Sequence, residues 1–211
     1  MMKLDRPLVL ATRNEGKVDE FRGLFSDFDV RIMGLQDFGP IPRVEEDGET
    51  FEDNAVKKAS LTARFLGLPA FADDSGLMVK ALGGIPGVHS ARYAGEDASD
   101  ELNNLKLLEA MEGVNDRQAT FVCVIAIAVP MGWALLYEGR CEGLITRELM
   151  GDLGFGYDPL FYYPPLKKTF AQVSMKEKNS ISHRGKAMTE LRNEFDKVLI
   201  WLRQRLAEES L

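Results

Sequence analysis

Residues 119–129 read ATFVCVIAIAV, and Thr120 is the one polar side chain among them. The run is about half the length of the roughly 20 apolar residues a membrane-crossing helix needs. Dense in β-branched residues and apolar throughout, it reads instead as a central strand buried on both faces. Met131-Gly132 reads as a hairpin tip. Trp133-Ala134-Leu135-Leu136-Tyr137 is expected to return antiparallel and to run on to Ile145, so the sheet is mixed rather than purely parallel.

Length and charge narrow the function. At 211 residues the chain makes one large domain or two small lobes around a sizeable core. Its net charge of −7 argues against sequence-independent binding to a nucleic-acid polymer, which needs a basic face. A small anion held by a few placed lysines remains compatible with that charge. Only Cys123 and Cys141 occur, with no CxxC and no secretory signal, so the expectation is a reduced, cytoplasmic protein. No apolar run is long enough to span a membrane. With His89 and His183 the only histidines, a multi-histidine zinc or iron site is excluded, and a bound metal is expected to take oxygen ligands.

Pro7-Leu8-Val9-Leu10-Ala11 is a short buried strand. Thr12-Arg13-Asn14-Glu15-Gly16-Lys17 follows, and then a helix with Val18, Phe21, Leu24 and Phe25 on one face. A strand, a Gly-containing loop and a helix N-terminus make an anion site, because free N–H groups and the dipole point at the loop. Lys17 adds charge there. The Walker A pattern is absent, and a plain connection capped by Asn14 fits the same residues. Val30 to Met33 is a second strand. The loop after it ends in Glu45-Glu46-Asp47-Gly48. Thr50 with Asp53 forms a capping box that opens a helix, and Gly67 stops it. Phe51, Ala55, Val56, Ala59, Ala63 and Leu66 face its core side. Lys57 and Lys58 point about 100° apart, so at most one aims at a site.

Leu68-Pro69-Ala70-Phe71-Ala72 runs into two adjacent carboxylates, Asp73 and Asp74. Ser75-Gly76 is expected to turn the chain before a short strand, Leu77-Met78-Val79. Carboxylates at the C-terminal end of a buried strand sit where open α/β sheets bind ligands, and paired carboxylates suit Mg²⁺. Asp, Ser and Gly equally build surface turns. The Gly/Pro-rich stretch Gly83 to Gly95 carries His89, Arg92 and Tyr93 in a loop of functional length. Ser99 caps a helix whose buried stripe is expected at Leu102, Leu105, Leu108 and Met111. In Gly151-Asp152-Leu153-Gly154-Phe155-Gly156-Tyr157-Asp158-Pro159, three glycines around an aromatic allow a flat ligand close to ring and backbone. The same pattern fits a turn around a core phenylalanine. Lys176 and Lys178 lie in a polar stretch. Ser182 is the N-cap of the last helix, which places His183 and Arg184 in its first turn. The helix dipole disfavours cations there, which points to a ligand-contact role. Ala187, Leu191, Phe195, Val198, Leu199 and Leu202 line that helix's buried side.

Six stretches together, A-T-R-N-E-G-K, E-E-D-G-E-T-F-E-D-N-A, F-A-D-D-S-G-L, G-G-I-P-G-V-H-S-A-R-Y, G-F-G-Y-D-P and S-H-R-G-K-A, span nearly the whole chain. In this order and spacing the chain resembles the inosine/xanthosine triphosphate pyrophosphatase family. The resemblance implies an α/β fold with a long mixed central sheet, flanking helices and two lobes around an active-site cleft. It implies a single domain over residues 1–211 and a homodimer. The implied activity is hydrolysis of ITP, dITP, XTP and dXTP to the monophosphate and pyrophosphate with Mg²⁺, a house-cleaning of the nucleotide pool. The substrate is then a small molecule, with no nucleic-acid polymer and no membrane as partner. By motif match, Thr12, Arg13, Asn14, Glu15, Gly16 and Lys17 hold phosphate oxygens. Glu45 and Asp74 bind the metal, and Asp74 is also the catalytic base. Ser75 contacts substrate. Phe155, Gly156, Tyr157 and Asp158 hold the base and ribose side. Lys58, Lys178, His183 and Arg184 complete the nucleotide site, with Asp73 and Arg92 as neighbours. Lys17, Lys58 and Lys178 supply the cations a triphosphate needs. Two rivals are a Maf-like pyrophosphatase, related in fold, and a non-catalytic nucleotide sensor. The H-S-A-R-Y and S-H-R-G stretches favour the first reading over the Maf-like one, and the acidic set Glu45, Asp73 and Asp74 argues against a sensor.

Overall fold

The apolar run is an inner strand of a seven-stranded sheet. The computed structural model describes residues 4–208. The strands are β1 (Leu8–Leu10), β2 (Ile32–Gly34), β3 (Ala70–Val79), β4 (Gln118–Ala128), β5 (Leu135–Ile145), β6 (Phe161–Tyr163) and β7 (Lys168–Thr169). The helices are α1 (Glu15–Leu24), α2 (Phe51–Leu66), α3 (Asp100–Ala110), α4 (Met175–Ile181), α5 (His183–Asn193) and α6 (Phe195–Glu208). Strand order is β2-β1-β3-β4-β5-β6-β7. β1 pairs parallel with β2 and β3, whereas β5–β6 and β6–β7 are antiparallel, so the sheet is mixed as expected. β4 is buried continuously from Phe121 to Ala128, on both faces. β5 alternates buried and exposed residues from Tyr137 to Ile145, the pattern of a strand covered on one face.

Local signals fix the helix ends. The Asn14 side chain caps α1 by accepting from the Lys17 N–H at 3.2 Å. Thr50 and Asp53 cap α2 reciprocally, and Gly67 ends it in the left-handed conformation at φ 64°. Ser99 caps α3, and Ser182 accepts from the Gly185 N–H at the start of α5.

The chain gathers into two compact units, and β3, β4 and β5 each contribute residues to both. The first holds residues up to Asp74, 124–137 and those from Met188 onward. Its centre is aromatic: Phe21 lies 4.3 Å from Phe71, and Phe25 lies 4.3 Å from Phe195, between ring centroids. The second holds residues 75–123 and 138–187. Its core joins Leu77, Val79, Leu107, Phe121, Phe161 and Phe170.

Three expectations need correction. Ser75 and Gly76 do not turn the chain, because β3 continues unbroken through them to Val79. Beside β4, past the end of β1, inter-strand pairing overrides the turn preference of Asp, Ser and Gly. The stripe of α3 is also different. Leu102 and Leu105 are exposed, while Asn103, Asn104 and Leu107 are buried. Both asparagines are buried because their amides are used: Asn103 accepts from the Ala94 N–H and donates to the Ala91 carbonyl, and Asn104 donates to the carbonyls of Asp100 and Gly156. The C-terminal helix is two helices, α5 and α6, on either side of Glu194. Their buried residues are nonetheless those expected, from Ala187 to Leu202.

Candidate active site

Register explains where the acid pair sits. β1 ends at Leu10, opposite Phe71 of β3, and the Ala11 N–H donates to the Phe71 carbonyl at 2.8 Å. β3 runs on past that point. Asp73 and Asp74 are therefore in mid-strand for β3, yet just beyond the C-terminal edge of the parallel strands. That edge is where open α/β sheets place their ligands. The loop Thr12–Lys17 leaves the sheet at the same edge.

The loop is tied down residue by residue. Thr12 accepts from the Asn14 N–H through Oγ1 and from the Leu35 N–H through its carbonyl. Arg13 donates from Nη2 to the Ile41 carbonyl at 2.8 Å, so its guanidinium anchors the following loop. Glu15 and Gly16 are exposed in the first turn of α1, where N–H groups have no intrahelical acceptor. Lys17 Nζ lies 3.3 Å from Asp73 Oδ1 and 3.4 Å from Oδ2. The anion loop and the acid pair are thus one constellation within the first unit.

α2 supplies the other side. Lys58 Nζ is 2.5 Å from Glu46 Oε1, and Lys57 pairs with Asp47. Of the two lysines Lys58 is the more enclosed. Of the two glutamates, Glu46 reaches Lys58, whereas Glu45 is exposed. Asn54 Nδ2 donates to Asp74 Oδ2 at 3.1 Å. Glu46 and Asn54 are the residues the sequence reading missed. Glu46 adjoins Glu45 in an extended segment, where successive side chains point apart, and only tertiary contacts tell which faces Lys58.

The second unit holds the aromatic stretch. Phe155 is 60% exposed, which excludes a core phenylalanine. Gly154 and Gly156 flank it at φ 79° and 61°. A Cβ on Gly154 would stand 2.0 Å from Asp158 Oδ2, so only glycine fits there. Asp158 accepts from the Phe155 N–H at 3.0 Å, and Asp100 accepts from the Gly156 N–H at 2.6 Å. Tyr157 is buried and its hydroxyl donates to the Ser90 carbonyl, so its ring is a structural anchor and only its backbone faces the loop's surroundings. Burial pushes that hydroxyl's pKa well above its usual value.

Lys178 is buried against Asp158, and its ammonium lies 4.5 Å from the centroid of the Phe155 ring. Burial raises the Asp158 carboxyl's pKa, and the Lys178 charge opposes that rise. Lys178 accordingly belongs to the aromatic stretch. His183 stacks on Phe121 at 4.7 Å with the rings 14° apart. Gly139 of β5 lets this turn approach, since a Cβ there would stand 2.0 Å from the His183 carbonyl oxygen. Arg184 is half-buried beside it. Ser75 Oγ is buried with no hydrogen-bond partner in the protein, next in sequence to Asp74. Arg92 pairs with Glu96 at 3.6 Å.

Among the described residues, no group of three or more His, Cys, Asp and Glu side chains encloses a metal position. The donors near Asp74 are carboxylate oxygens. That set fits Mg²⁺, which takes one or two carboxylates and completes its shell with substrate phosphates and water.

Comparison with known proteins shows the family and the fold. The sequence model of the Ham1 family matches residues 8–194. The dITP/XTP pyrophosphatase of Syntrophobacter fumaroxidans is 62% identical over 204 residues, covering 97% of this chain and 88% of that protein. That of Desulfotalea psychrophila is 57% identical, covering 96% and 91%. Among solved structures, the Staphylococcus aureus Ham1 protein superposes with a TM-score of 0.86 at 43% identity, covering 91% of this chain and 99% of that one. The Mycobacterium abscessus nucleoside-triphosphatase, a dITP/XTP pyrophosphatase, gives 0.78 at 38%, covering 88% and 98%.

Proposed function

This chain belongs to the Ham1 family, and we infer that its acid pair, phosphate loop and exposed Phe155 serve one reaction, the cleavage of a nucleoside triphosphate to monophosphate and pyrophosphate. It is a hydrolase of the dITP/XTP pyrophosphatase type, acting on purine nucleotides that carry hypoxanthine or xanthine. The roles of individual residues, the metal and the assembly are our proposal.

The observation that carries the site assignment is the Lys17–Asp73 contact, which brings the anion loop against the carboxylates. Water attacks the α-phosphorus, the bond to the α,β-bridging oxygen breaks, and pyrophosphate leaves. Asp74 accepts a hydrogen bond from that water and orients it. Glu45 and Asp74 would hold Mg²⁺, which would supply positive charge against the developing charge on the phosphates. Thr12 to Lys17, with Lys58, hold the phosphates, and Ser75 offers its hydroxyl to substrate.

Each lysine of the set has a carboxylate: Lys17 with Asp73, Lys58 with Glu46, Lys178 with Asp158. A half-buried ammonium without a counter-charge is costly, so these partners hold the lysines extended until phosphate oxygens replace them. Lys17→Ala is expected to lower kcat/KM for ITP by about 10- to 100-fold, the size of one charge-assisted contact of about 1.5–3 kcal/mol. A coupled pyrophosphate-release assay measures it, and an unchanged value would place Lys17 outside the site.

On the base side, Phe155 stacks on the purine, Gly156 and Asp158 shape its loop, and Tyr157 contributes backbone only. Lys178, His183 and Arg184 line the rest. The chain works as one catalytic domain and as a homodimer. Exposed Ile85, Leu102 and Leu105 supply apolar surface for the contact. Light scattering at micromolar concentration should give about twice the 23.6 kDa chain mass, and a stable monomer would contradict the dimer. Among the described residues no helix is long and apolar enough to cross a membrane. Both cysteines are buried and neither forms a disulfide among the described residues, which supports a reducing, cytoplasmic setting.

A further inference from the structure

Asn54 is a polar side chain carried deep inside the first unit, with 1% of its surface exposed. Both ends of its amide are used. Oδ1 accepts from the Gly48 N–H at 2.8 Å, and Nδ2 donates to Asp74 Oδ2 at 3.1 Å. One amide therefore ties the acidic turn 45–48 to the carboxylate of β3. Two further observations say the arrangement is built. Gly48 has no room for a side chain: a Cβ would stand 2.7 Å from Asn54 Oδ1 and 2.7 Å from Asp53 Cβ. And Asn54 sits one residue beyond the Thr50–Asp53 capping box, so the start of α2 that carries it is fixed on both sides of the cap.

We propose that Asn54 is a positioning residue for the reaction, holding the Asp74 carboxylate at one oxygen so that the other faces water and substrate, and holding the acidic turn in register with it. The inference rests on the assignment of Asp74 to catalysis. A neutral amide suits the task. It donates to one carboxylate oxygen without adding a charge, where a lysine would neutralise Asp74 and a second acid would repel it. Groups that orient ligating and catalytic carboxylates typically contribute 10- to 100-fold.

The test is a double-mutant cycle with Asn54→Ala and Asp74→Asn, read by single-turnover ITP hydrolysis and by Mn²⁺ titration of the nucleotide-free protein followed by electron paramagnetic resonance. Asn54→Ala should lower the rate about 10- to 100-fold, leave KM for ITP within about threefold, and weaken Mn²⁺ by a similar factor. In the Asp74→Asn background the same change should do nothing further to either readout, because the group it positions is gone. Asn54→Asp keeps an acceptor for Gly48 but loses the donor and sets an anion against Asp74. Its melt should fall, because a buried carboxylate then faces Asp74, yet the protein still folded below that melt should lack activity, which keeps the inference testable if the alanine variant unfolds. A folded Asn54→Ala or Asn54→Asp protein with parental rate would overturn the inference. So would equal losses with and without Asp74. If Asp74→Asn itself retains full rate, it is the catalytic assignment that fails, and the cycle reports that separately.

Discussion

Asp74→Asn is expected to lower kcat by at least about 10²–10³-fold while the protein melts as the parent does. That is the size of removing one preorganised electrostatic group from a reacting centre. The substitution keeps the side chain's shape in β3 and removes its charge. Asp74 is half-buried, accepts from Asn54, and neighbours the buried Asp73 that pairs with Lys17. Loss of the anion should both misplace the attacking water and weaken Mg²⁺. Circular dichroism and a thermal melt establish the fold, and steady-state kinetics at saturating Mg²⁺ give the effect. A folded variant with parental turnover would remove Asp74 from the mechanism.

The second large effect is base choice. ITP and XTP are expected to exceed ATP in kcat/KM by about 10⁴–10⁵, the discrimination reached when a site built for one hydrogen-bonding group meets its mismatch. Arg184 is donor-only, and the N–H groups at the start of α5 are donors too. They suit the 6-keto oxygen of hypoxanthine and xanthine and oppose the 6-amino group of adenine. Phe155 adds stacking energy to every base alike, so it supplies affinity without choice. Arg184→Ala should therefore lower ITP hydrolysis far more than ATP hydrolysis and narrow their ratio. A fixed ratio with both rates reduced would assign Arg184 to the phosphates or the fold.

Signals confined to a few neighbouring residues were legible from the chain alone. The caps at Asn14, Thr50, Ser99 and Ser182, the stop at Gly67 and the buried run through β4 all depend on local chemistry, and all are found. What failed depended on partners distant in sequence. Asp73-Asp74-Ser75-Gly76 has the composition of a turn, and only the continuation of β3 beside β4, past the end of β1, makes it strand. In α3 the leucine spacing predicted half of the stripe: Met111 is buried and Leu108 packs on the core, but Leu102 and Leu105 are exposed, and Asn103 and Asn104 are buried with backbone partners at Ala91, Ala94 and Gly156. The site follows the same division. The glycines around Phe155 fitted an exposed ring and a core one alike, and only the fold decides for exposure, whereas the pairing of Lys178 with Asp158 joins residues 20 apart and is invisible to local pattern. Likewise Glu46 and Asn54 acquire meaning only once α2 packs beside β3 and brings Lys58 and Asp74 to them.

The central claim is that this chain cleaves purine nucleoside triphosphates to monophosphate and pyrophosphate and favours bases with a 6-keto group. Its most direct test is a side-by-side measurement of kcat/KM for ITP, XTP, GTP and ATP, with the released product identified as pyrophosphate or orthophosphate. The account predicts pyrophosphate with the monophosphate, and ITP and XTP ahead of ATP by about 10⁴ or more. Equal rates for ITP and ATP, or release of orthophosphate from the γ-position, would contradict it.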